Sequence, residues 1–164
     1  MDYKRNSLHV QQLTMPADKR HPTPHFLAWA RLLRAHRVLL ERVQADLAAA
    51  ELPPLEWYDL LLELDMADGN RLRLYDLGER MVLSRSNLTR LCDRLEKEGL
   101  ISREQCAEDR RGLFATLTQK GAKMRRAIWP VYKRSVEQHF SAHLTEEEAN
   151  ELASVLLRVQ NTGS

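Results

Sequence analysis

Apolar residues recur at alternating steps of three and four from Phe26 through Trp29, Leu33, His36, Leu40, Val43 and Leu47, the spacing of one helix face. His36 interrupts this otherwise apolar seam. Leu27, Leu32 and Leu39 widen the stripe, so the helix expected from Pro24 to Ala50 needs more than one packing partner. Leu52-Pro53-Pro54 ends it, because proline has no N–H for the ladder and restrains the residue before it. A second helix is expected from about Leu55 to Ala67, carrying Trp57, Leu60, Leu61 and Leu64. Asp68-Gly69-Asn70 reads as a turn. Leu72 to Arg80 then reads as a short helix with Leu74, Leu77 and Met81 facing inward.

Ser84 is placed to cap the next helix, which Gly99 ends. At about 100° per residue, Leu88, Leu91, Cys92 and Leu95 share one face of it. Ser86, Arg90, Asp93 and Lys97 lie opposite, flanked by Asn87, Thr89 and Arg94. Two strand-like runs, Leu100 to Gln105 and Gly112 to Leu117, flank the charged turn Glu108-Asp109-Arg110-Arg111. Thr118 caps a long helix to about His139, in which Pro130 is expected to make a bend. Thr145 and Glu148 hold the reciprocal positions of a capping box. The helix they open carries Leu152, Val155, Leu156 and Val159. Residues 1–22 are polar, include Pro16 and Pro22, and read as a tail or short extra element.

With 164 residues, the chain is long enough for one domain with a real core. No apolar run approaches the roughly 18 residues of a membrane span, so no membrane partner is expected. The N-terminus lacks the apolar segment of a signal peptide. Two cysteines, Cys92 and Cys106, are too few for a disulfide framework, and a cytoplasmic location is expected. Net charge is only +2, but its distribution is uneven. From Ser84 to Arg126, eleven Lys and Arg face six Asp and Glu. A basic middle on an acidic frame suits a face presented to phosphates, although clustered solvated charges give the same count.

The outer face of the Ser84–Gly99 helix is rich in hydrogen-bonding groups. Arg90 matches the guanine edge, Asn87 the adenine edge, and Ser86 or Thr89 a base edge or a phosphate. Asp93 would be repelled by phosphates, and Arg90 and Lys97 are the neighbours expected to neutralise it. An ordinary surface helix of mixed charge has the same pattern. The adjoining turn changes the balance. Arg110 and Arg111 at a turn tip cannot stabilise a core, and their flat cationic heads suit a narrow minor groove. Asp109 can hold one guanidinium by a charge-assisted bond and pre-aim it. Helix and hairpin together make a grip on two adjacent grooves of a DNA duplex.

Asp109-x-Arg111-Gly112, followed by Leu117-Thr118-x-x-Gly121, resembles the wing signature of MarR-type winged helix-turn-helix regulators. Leu88-Thr89-Arg90-x-x-x-Arg94-Leu95-x-x-x-Gly99-Leu100-Ile101 is similar to that family's recognition helix and its exit into the wing. Leu52-Pro53, with Trp57 and Leu60, resembles its approach to the second helix. The resemblance runs from about Trp29 to Val159. It implies a mainly α fold with a small β-hairpin wing, and a helical dimerisation region built from N- and C-terminal helices. Residues 23–164 then form one unit, with dimerisation parts 23–50 and 122–164 and a DNA-binding lobe 51–121. The implied partner is a pseudo-palindromic double-stranded operator, bound by a homodimeric regulator expected to act as a repressor. Ser84, Arg85, Ser86, Asn87, Thr89, Arg90 and Arg94 are then expected at the major groove and phosphates. Asp109 and Arg111 are expected at the minor groove, with Arg110 on a phosphate.

The resemblance also implies a possible signal: a small aromatic effector, an oxidant or a metal. Trp29, His36, Trp57, Tyr58 and Trp129 are the candidates for an effector pocket, each with core or dimer packing as the plainer role. The chain has no Cys before Cys92, whereas the family's peroxide sensors place their thiol near the first helix. Cys92 falls on the core face and reads as a small buried hydrophobe. Cys106, beside the turn, is the alternative redox site. His139 and His143 are four apart, but a helix end is expected between them, and His21 and His25 make no helical pair. Zinc sensors of the family place histidines where this chain has Met124, Arg125 and Ile128. No metal, cofactor or enzymatic constellation is expected: the glycines form no phosphate-binding loop, and no nucleophile stands with a base. The alternative to a DNA-binding regulator is a winged-helix module that docks a protein.

Overall fold

The computed structural model describes residues 23–105 and 112–161. Its elements run α1 (Pro24–Ala49), α2 (Leu55–Asp65), β1 (Arg71–Arg73), α3 (Leu74–Arg80), α4 (Arg85–Lys97), β2 (Ile101–Gln105), β3 (Leu113–Leu117), α5 (Gln119–His139) and α6 (Glu146–Gln160). Short 3-10 turns at Asp68–Asn70 and Ser141–His143 complete the series. The chain is mainly helical with a small antiparallel sheet, as expected. Along α1 it passes from one compact unit, ending at Arg37, to a second that begins at Val38.

Helix α1 ends where the prolines require. Glu51 takes a left-handed conformation at φ 55°, and the Leu52 N–H closes back on the Leu47 carbonyl, a pattern that satisfies the last open acceptors. Of the long apolar seam, only Val43 and Leu47 are buried. Phe26, Trp29, Leu33 and Leu40 are exposed, as is His36. Helix α6 likewise has no fully buried residue, and Val155, Leu157 and Val159 face outward.

Two apolar clusters organise the second unit. Val43 and Leu47 of α1 meet Tyr58 of α2 and Ile128 of α5. The larger cluster joins Leu60, Leu61 and Leu64 of α2 to Leu77 of α3, Leu88, Leu91 and Leu95 of α4, and Leu100, Ile101 and Ala115 of the sheet. The sheet order is β1-β3-β2. Arg73 pairs with Phe114 and Leu72 with Ala115, while Ile101 pairs with Leu117 and Gln105 with Leu113. Strand β1 corrects the expectation of a helix from Leu72: the helix begins at Leu74. Three residues in an exposed, buried, exposed pattern are too short to display a period-two signal; pairing with β3 sets Leu72 beside Ala115, and Leu72 joins the larger apolar cluster.

The expected caps form. Ser84 Oγ accepts from the Asn87 N–H and Thr118 Oγ1 from the Gly121 N–H, and Thr145 with Glu148 makes the reciprocal capping box. Gly99, at φ 69°, turns the chain from α4 into β2. Pro130 lies inside the continuous helix α5.

Candidate nucleic-acid interface

Helix α4 separates its faces as its sequence requires. Leu88, Leu91, Cys92 and Leu95 are buried, which fixes the helix against α2 and the sheet and leaves the opposite face open. Ser84, Arg85, Ser86, Asn87, Thr89, Arg90 and Arg94 are all exposed. Ser84 and Ser86 bring their hydroxyls within 3.3 Å. Thr89 donates its hydroxyl to the Arg85 carbonyl at 2.9 Å, so toward a ligand it offers a methyl group and an acceptor. Antiparallel pairing of β2 with β3 sets the base of the hairpin beside this helix. Asp109, Arg110, Arg111 and Cys106 lie outside the described residues.

One electrostatic expectation is corrected. Asp93 is neutralised by Arg103 of β2, at 2.7 Å, rather than by Arg90 and Lys97. Neighbours on one exposed helix face hold each other only weakly, whereas Arg103 is fixed by a second partner. Its Nε donates to Glu96 Oε2 at 2.9 Å, and its backbone N–H donates to Glu96 Oε1 at 3.0 Å. These charge-assisted bonds hold the Glu96 carboxyl below its usual range. Arg103 thus pins α4 to the hairpin, and among the described residues Arg90 has no carboxylate partner. Arg94 is engaged: its Nη2 lies 2.7 Å from Glu56 Oε1 on α2.

Where α3, α4 and the sheet meet runs a concave surface of about 440 Å³, lined in part by Arg73, Glu79, Arg85, Thr89 and Arg103. Arg71 and Arg73 both stack on the Phe114 ring, at 4.1 and 5.5 Å. Neither β1 arginine stands out in the sequence, because Arg73 falls in the expected helix start and Arg71 between it and the preceding turn. The alternation Arg71-Leu72-Arg73 was the only signal.

The aromatic candidates divide. Tyr58 is buried and stacks on Trp129 at 6.2 Å, with Tyr132 5.1 Å from Tyr58. Trp57 instead packs against the larger core, and its buried Nε1 finds no acceptor among the described residues. Trp29 and His36 are exposed residues of α1, in the first unit. Cys92 is buried, and that burial pushes its thiol up to about 11, far from the thiolate that redox chemistry needs. His139 Nε2 lies 3.0 Å from Asp46 Oδ2, which also accepts from Ser135 Oγ at 2.6 Å. Among the described residues no group of three His, Cys, Asp or Glu side chains stands together to hold a metal. Nor is any described helix long and apolar enough to cross a membrane.

Comparison with known proteins matches this geometry to a family. The MarR family model matches residues 50–112, from the end of α1 to the hairpin. The HTH-type transcriptional regulator MhqR of Bacillus subtilis is 30% identical over 128 residues, covering 78% of this chain and 86% of that protein. The chain belongs to the MarR family. It is a winged helix-turn-helix transcriptional regulator rather than an enzyme. YkoM of Bacillus subtilis, an uncharacterised HTH-type transcriptional regulator, is 33% identical over 84 residues, a match that spans 51% of this chain and 54% of that protein. Among solved structures, the MarR family regulator Sco3205 of Streptomyces coelicolor, in complex with DNA, is 31% identical with a TM-score of 0.79. That match covers 86% of this chain and 89% of Sco3205.

Proposed function

We propose that this MarR-family chain binds a pseudo-palindromic operator in double-stranded DNA as a homodimer and represses transcription there. The observation that carries the reading is the division of α4 into a buried leucine face and an open face of Ser86, Asn87, Arg90 and Arg94 beside the hairpin. In this reading Ser84, Arg85, Ser86, Asn87, Thr89, Arg90 and Arg94 meet the major groove and its phosphates. Asp109 aims Arg111 into the minor groove, and Arg110 meets a phosphate.

The dimer is supported by apolar surface that the single chain leaves open: Phe26, Trp29 and Leu33 on α1, and Val155, Leu157 and Val159 on α6. Patches of this kind on a soluble chain mark association surfaces. Residues 23–50 and 122–164 then supply dimerisation, and residues 51–121 the DNA-binding lobe. A small aromatic effector is the signal best suited to the Tyr58, Trp129 and Tyr132 group, because stacked rings offer an apolar face with polar tips.

Selection of duplexes from a random pool tests this reading. The expected product is an inverted repeat with half-sites about one helical turn apart. Recovery of no duplex above background at low ionic strength, with a stoichiometric protein partner captured instead, would overturn it in favour of a protein-docking module.

A further inference from the structure

Arg71 and Arg73 are basic groups that the assignments above leave unused. Two residues apart on β1, they project from the same sheet face, and both are exposed. Each guanidinium lies over the Phe114 ring of β3, and among the described residues neither pairs with a carboxylate. A guanidinium stacked on a ring keeps its in-plane N–H groups free to donate. The ring thereby holds a cationic fork in one orientation with its donors unspent.

Position gives these forks a partner. Arg73 lines the same concave surface as Arg85 and Thr89 of α4, and that surface lies where α3, α4 and the sheet meet. A duplex read by a helix in its major groove and by a hairpin in the adjoining minor groove has one sugar-phosphate strand running between the two. On the DNA-binding reading, that strand passes over this concavity. Arg103, in the same wall, is already neutralised by Asp93 and Glu96. Glu79 is the acidic lining residue. Among the described residues, Arg73 and Arg85 are therefore the lining cations without a carboxylate partner.

We propose that Arg73, oriented by Phe114, grips a phosphodiester of the strand that separates the two grooves, with Arg71 reinforcing it from the next position on β1. This rests on the DNA-binding reading and adds a third anchoring point to it. A phosphate contact fixes register without reading sequence.

The test is a salt titration of full-length wild type and variants on a selected duplex. Each phosphate contact contributes about 0.9 to the slope of log affinity against log salt. Arg73→Gln should therefore flatten the slope by about 1.8 for a dimer and weaken selected and scrambled duplexes alike. Arg73→Lys should keep the slope, and Phe114→Leu should lower affinity while leaving the slope in place. Wild-type slope and affinity in Arg73→Gln would overturn this inference while leaving the DNA-binding reading intact. A wild type that binds no duplex at all would overturn both.

Discussion

A Cβ built on Gly121 would lie 2.1 Å from the carbonyl oxygen of Leu100 and 2.8 Å from Leu117 Cδ1. The first turn of α5 therefore rests directly on the backbone that carries α4 into β2. Thr118 secures the same junction: its Oγ1 lies 2.8 Å from the Gly99 carbonyl and 2.9 Å from that of Leu100. It also accepts from the Gly121 N–H at 3.0 Å. The Leu117-Thr118-x-x-Gly121 spacing is thus a clamp between α5 and the turn that carries α4 into the hairpin.

Gly121→Ala should be strongly destabilising, because the obstructing atom is backbone and cannot rotate away. Overpacking of this kind costs at least about 2 kcal/mol, a fall in Tm of roughly 4–8 °C for a chain of this size. A thermal melt followed by circular dichroism measures it. A variant melting within about 1 °C of wild type would contradict the packing described.

Val82, in the turn between α3 and α4, has φ 52° and is 90% exposed. A β-branched residue is strained in the left-handed region, and no packing repays the strain here. Val82→Gly should stabilise the fold by about 1 kcal/mol after the entropy cost of glycine, raising Tm by about 2–4 °C. A lower Tm would show that Val82 makes a stabilising contact in solution.

If Arg94 meets a phosphate as proposed, the Glu56 carboxylate, 2.7 Å from its Nη2, competes with the DNA for it. Both side chains are about half exposed, so the pair is worth roughly 1 kcal/mol or less and yields readily to a phosphate. Glu56→Gln should raise duplex affinity several-fold and steepen its salt slope by about 0.9 per subunit, with little change in melting. Unchanged or weaker binding would mean that Glu56 orients Arg94 rather than restraining it.

Acid should loosen two junctions together. Hydrogen bonding from Arg103 lowers the Glu96 pKa, and hydrogen bonding from Ser135, then His139, lowers that of Asp46. A carboxylate with a depressed folded value contributes stability that is present above its unfolded value, about 4, and is lost as pH falls through the folded value. Glu96→Gln and Asp46→Asn should each flatten the fall in stability below about pH 4, measured by denaturant titration across pH. An acid limb as steep in both variants as in wild type would contradict these pairings.

Helix α4 was fully legible in the sequence, because a four-residue buried stripe, a serine cap and a terminal glycine all point to the same element. Capping at Thr118 and at Thr145 was legible for the same reason. Strand β1 was not, since three residues show no period and the pairing that makes the strand sets Leu72 beside Ala115, 43 positions away in the chain. Arg103 was missed because its two acceptors, Asp93 and Glu96, become neighbours only once Gly99 reverses the chain. The seam of α1 was read correctly as helical, but its exposure on Phe26, Trp29 and Leu33 depends on what a partner covers.

The two-groove grip is tested most directly by measuring wild-type affinity for a selected duplex as salt is raised. With six or more phosphates contacted, affinity should fall by about a thousandfold or more between about 50 and 200 mM salt. Absence of duplex binding at about 50 mM, or binding with no salt dependence across that range, would contradict the account.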